Sequence, residues 1–102
     1  MDKAQIKRIS KYESLLNEAS DALAKLSEAL DCYSAIQSHF GSLAKYLESQ
    51  QWRKDVADDE AGKLPCDLKR GVLSQDGIWN VLETQKELLE QMKELVKCNH
   101  IN

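Results

Sequence analysis

IKRISKYESLLNEASDALAKLSEALDCYSAIQSHFGSLAKYL, residues Ile6–Leu47, is the stretch that decides the fold. Its apolar residues fall into seven-residue columns. One column reads Tyr12, Ala19, Leu26, Tyr33, Phe40, Leu47, and a second reads Leu16, Leu23, Leu30, Gln37, Ala44. They alternate at spacings of three and four, the a/d pattern of packed helices. A third column, Leu15, Ala22, Ala29, Ile36, Leu43, lies beside them. Two columns make a narrow seam, whereas three make the wide face of a helical bundle. A helix over about 3–47 follows, with Gly41 as its only Gly or Pro.

A second long helix is expected over about 75–98. Ser74 suits the N-cap, and Asp76 in the first turn complements the helix dipole. Its apolar line runs through Ile78, Leu82, Leu89, Met92 and Val96, and the end frays near Cys98-Asn99-His100. The two helices are unequal: about 45 residues span roughly 68 Å, and about 24 span roughly 36 Å. Folded back as a long antiparallel, coiled-coil-like hairpin, the shorter helix leaves Ile6, Ile9, Leu15 and Leu16 without cover. Such an exposed stripe is unusual on a soluble monomer. The expectation is therefore an all-α single domain over 1–102 that completes itself as a homodimeric bundle. A kink near Gly41 or Ser49 would instead let the chain close as a three-helix monomer.

The rest of the composition narrows the function classes. The chain has 102 residues, with 14 Lys+Arg against 17 Asp+Glu and a net charge of −3. No segment is strongly basic, so a phosphate-reading surface for nucleic acid or anionic membrane is not expected. No apolar run is long enough to span a bilayer. The first residues lack the apolar core of a secretory signal. Three cysteines at 32, 66 and 98 fit no zinc spacing and read as reduced thiols of a cytoplasmic protein.

The middle segment, about 49–73, loses the heptad and holds the only proline. Ser49 is placed to cap a short helix from about Gln50 to Ala61, which Gly62 ends in the left-handed conformation. Leu64-Pro65 reads as extended. Asp67 is expected to cap one turn through Arg70, ended by Gly71.

Trp52-Arg53-Lys54-Asp55, Asp59-Glu60-Ala61-Gly62-Lys63-Leu64-Pro65, and Asp67-Leu68-Lys69-Arg70-Gly71-Val72-Leu73-Ser74 with Asp76 form a dense, unusual string. It resembles the signature of domain-of-unknown-function family 4298, a family of short bacterial proteins, and the likeness extends over nearly the whole chain. The family pattern has a Tyr-Gly-Ser hinge just before this string, where this chain has Leu47-Glu48-Ser49. The missing glycine favours a more continuous turn. The resemblance implies an all-helical cytoplasmic protein and brings no activity, cofactor or catalytic residue with it.

Candidate chemistry is sparse. Asp55, Asp58, Asp59 and Glu60 offer carboxylates, but their spacing is not that of an EF-hand loop. Pairing with Arg53, Lys54, Lys63, Lys69 or Arg70 is the simpler expectation. His39 and His100 have no Glu three residues before them, which removes a carboxylate-bridged metal pair, and no hydrolase triad can be drawn. No metal, cofactor or catalytic constellation is assigned. Trp52, Arg53, Lys69, Arg70 and Trp79 are the candidate ligand- or partner-binding residues. The basic ones could meet an anion beside the Ser74 helix start, or simply hold the acidic segment. Trp79 is expected to receive Leu64, Leu68 or Trp52 in a small satellite core. The leading reading is a non-enzymatic, self-associating interaction module with a possible protein partner. A small-ligand or anion-binding protein is the alternative.

Overall fold

The structure, a computed structural model, describes residues 2–99, so the expectations placed on His100 lie outside it. The described chain is all-α. Helix α1 runs Lys3–Leu47, α2 runs Gln50–Glu60, and α3 runs Gln75–Cys98, with a 3-10 turn at Gly71–Leu73. The long helices match the heptad reading, and Gly41 does not interrupt α1.

Local chemistry sets the boundaries. The Asp2 carboxylate accepts the Ala4 amide at 3.0 Å, serving one of the free N–H groups at the start of α1. Only Glu48 and Ser49 separate α1 from α2. The Ser49 hydroxyl donates to the Tyr46 carbonyl at 2.6 Å and accepts the Trp52 amide at 3.1 Å. One side chain thus ends the first helix and caps the second. Gly62 follows α2 at φ 72°, where it lets the Lys63 amide reach back to the Asp58 carbonyl at 2.9 Å. Ser74 caps α3 by accepting the Gly77 amide at 3.4 Å, and Asp76 stands in the first turn.

One expectation in the middle segment is corrected. The single turn placed at Asp67–Arg70 forms later, at Gly71–Leu73. Residues 66–67 instead lie in a tight turn, closed by the Leu68 amide on the Pro65 carbonyl at 3.2 Å. The next amide bonds, Leu73 to Arg70 and Ser74 to Gly71, then build the 3-10 turn straight into the α3 cap.

The chain divides into two compact units, Met1–Gln37 and Ser38–Asn102. In the described part of the first, apolar side chains are largely in solvent: Leu16 is 62% and Leu23 65% exposed. In the second, α2 and α3 each pack on the 3-10 turn. The middle segment folds into a helix and a turn of its own, and α3 seats on that turn. Ile78, 2% exposed, is the buried hydrophobic centre of this unit. In the same unit Leu64, Leu73 and Leu82 are half-buried, as are Phe40, Leu43 and Leu47 at the end of α1.

Candidate functional site

The middle segment is held by a few polar bonds that reach across the chain. Trp52 sits in the first turns of α2, half-buried, and its indole Nε1 donates to the Val72 carbonyl at 2.8 Å. That bond ties α2 to the 3-10 turn. Arg70 lies just before the turn and spreads its guanidinium over three partners. It meets the Asp59 carboxylate at 2.5 Å, the Pro65 carbonyl at 2.8 Å and the Leu68 carbonyl at 3.3 Å. A planar guanidinium carries enough fixed donors for this, and an ammonium does not offer the same fork. The loop between Gly62 and Gly71 is thereby stapled to the last turn of α2.

The carboxylates of the segment have separate tasks. Asp59 takes Arg70. Asp55 accepts the Tyr46 hydroxyl at 2.6 Å, which bridges α1 to α2 across the Glu48-Ser49 connection. That hydrogen bond, helped by burial and by the negative charge of Asp55, raises the Tyr46 pKa above its usual value of 10.0. Asp58 lies 3.9 Å from Lys54 one turn away on the same helix. No group of three or more metal-ligating side chains comes together among the described residues.

The five candidate residues separate in this geometry. Trp52 and Arg70 engage the segment itself. Arg53, Lys69 and Trp79 are exposed, Trp79 by 53%. The residue that α3 buries at this point is Ile78, not its neighbour Trp79. Adjacent helix positions face about 100° apart, so covering one leaves the other open. Cys32, Cys66 and Cys98 are all exposed free thiols.

Two features here have no signal in the sequence. Tyr46 and Asp55 are nine residues apart on different helices, and nothing local couples them. Gly77 stands in the first turn of α3 with the Gly71 carbonyl oxygen 2.8 Å from where a Cβ would be. A side chain there would collide with backbone. The Asp59–Arg70 pair is different, since opposite charges on the same short segment invited it.

Comparison with known proteins gives one match. No curated protein and no solved structure matches the chain. The family described as Domain of unknown function (DUF4298) matches residues 9–95, which takes in most of both long helices and the whole stapled segment between them. No described helix is long and apolar enough to cross a membrane. On the match over most of its length, the chain belongs to the DUF4298 family, whose function is unknown.

Proposed function

We propose that the chain is a non-enzymatic interaction module that acts by self-association, forming a homodimeric helical bundle in the cytoplasm. One observation carries this reading. The first unit displays Ile9, Leu16, Leu23 and Leu26 on one helix, each more than half exposed. A helix with an open apolar face gains most of its stability from burying that face against something else. The middle segment supports the same reading from another side. Arg70, one of the three basic candidates for an anion by sequence, already spends its donors on Asp59, Pro65 and Leu68. The segment thus acts as a stapled connector, with Arg53, Lys69 and Trp79 left at the surface for a protein partner.

Sedimentation velocity at micromolar concentration tests the proposal. A species of twice the 11.6 kDa chain mass is the expected result. A single 11.6 kDa species across the same range overturns it.

A further inference from the structure

The exposed face of α1 is not uniform along its length, and its details select one way of pairing. Within the first unit large and small residues alternate by column. Ala19 stands between Tyr12 and Leu26 in one column, while Ala22 and Ala29 follow Leu15 in another. In a parallel two-fold pair each residue lies beside its own copy. That arrangement sets alanine against alanine in three separate layers and leaves voids in them. An antiparallel pair keeps one such layer and sets the other two alanines, Ala19 and Ala29, against leucines.

Resting on the self-association just proposed, we propose that α1 pairs antiparallel with α1 of a second copy, with the two-fold axis passing between Asp21 and Ala22. In that register Leu23 meets the partner's Ala19, and Leu15 meets the partner's Ala29. Leu16 meets the partner's Leu26, and Leu30 meets the partner's Tyr12. Beside the two-fold axis Ala22 lies against Ala22 of the partner subunit, where the small side chains let the helix backbones approach.

Charge picks the same register. Lys11, Glu18 and Lys25 form the column that flanks the apolar face, and all three are exposed. With the axis between Asp21 and Ala22, Glu18 lies opposite the partner's Lys25, twice by symmetry. Sliding by one heptad in one direction puts Glu18 opposite Glu18 of the partner subunit and Lys11 opposite the partner's Lys25. Sliding the other way puts Lys25 opposite Lys25 of the partner subunit. Flanking charges of this kind set orientation and register more than affinity.

The test uses the full chain with Cys32, Cys66 and Cys98 replaced by Ser, all three being exposed. Single-cysteine variants Leu15→Cys, Ala29→Cys and Ala22→Cys are then oxidised mildly. Ala22→Cys should cross-link by itself. Leu15→Cys and Ala29→Cys should cross-link when mixed and equilibrated, and neither alone. In parallel, Glu18→Lys or Lys25→Glu should each weaken the dimer about tenfold, and the double exchange should return it to within about twofold. Circular dichroism checks that these surface variants keep their helix. A dimer in which Leu15→Cys cross-links with itself as readily as in the mixture overturns the antiparallel register and leaves self-association standing. So does a dimer that no cysteine pair traps. A chain that stays monomeric overturns both.

Discussion

Residues 3–37 and residues 38–99 make their helices by opposite means. The first stretch is regular in the extreme: one helix, a strict heptad, Asp2 at its start, and an apolar face left in solvent. The second is irregular, with two helices, part of a third and a 3-10 turn. Its elements are tied by side chains that reach far along the chain, Trp52 to Val72 and Arg70 to Asp59. The contrast teaches where each region's stability resides. A repeating stripe has no single indispensable residue but needs a surface to lie on. A stapled segment needs no such surface but depends on a handful of bonds.

That comparison can be broken in order of expected effect. Leu23→Asp in the middle of the exposed face should cost the most, because a dimer loses two buried leucines. At about 1.5–3 kcal/mol each, association weakens by more than a hundredfold on the usual conversion of about 1.4 kcal/mol per decade. Sedimentation reads it, and an unchanged dimer would show that the stripe is not the contact. In the second region, Gly77→Ala should lower thermal stability by about 1–3 kcal/mol, since the added carbon meets the Gly71 carbonyl oxygen. The same exchange at Gly41, which faces open space, should be neutral or stabilising by up to about 1 kcal/mol. A chain that tolerates both alike would remove the close approach from the account.

Arg70→Ala comes next. Its side chain is 38% exposed, so solvent screens the ion pair, and a loss of about 1–2 kcal/mol in chemical denaturation is expected. Arg70→Lys should recover less than half, because one ammonium cannot bridge Asp59, Pro65 and Leu68 together. Full recovery by lysine would reduce the staple to a simple charge. The smallest effect belongs to Tyr46→Phe, about 1 kcal/mol for one hydrogen bond. Its signature is in pH. Tyr46 has a raised pKa when folded, so its contribution is complete below 10.0 and is lost as pH rises through the higher folded value. The difference between wild type and Tyr46→Phe should therefore be flat through neutral pH and vanish only at strongly alkaline pH.

The sequence discloses what is local and hides what is not. Ser49, Gly62 and Ser74 were readable as a cap, a left-handed end and a second cap because each acts on amides within a few residues of itself. The heptad placed α1 and α3 because the period repeats many times. The 3-10 turn was misplaced by a few residues because two short turns compete there. Pro65 wins one of them by supplying its carbonyl to Leu68. The bonds from Tyr46 to Asp55 and from Trp52 to Val72 span nine and twenty residues, and no periodicity announces them. Among the candidate site residues, only the charge complement of Arg70 could be anticipated. The burial of Ile78 in preference to Trp79 depends on which face of α3 meets the 3-10 turn.

The indole bond of Trp52 has a practical side. The chain has two tryptophans, one tied to a backbone carbonyl and half-buried, the other more than half in water. Trp79 therefore supplies a nearly constant, solvent-like emission, while Trp52 changes colour and intensity when α2 leaves the 3-10 turn. The molecule carries an optical gauge of its own connector. With Trp79→Phe, that gauge reads the segment alone, and the release of α2 from the 3-10 turn during unfolding would announce itself without a label.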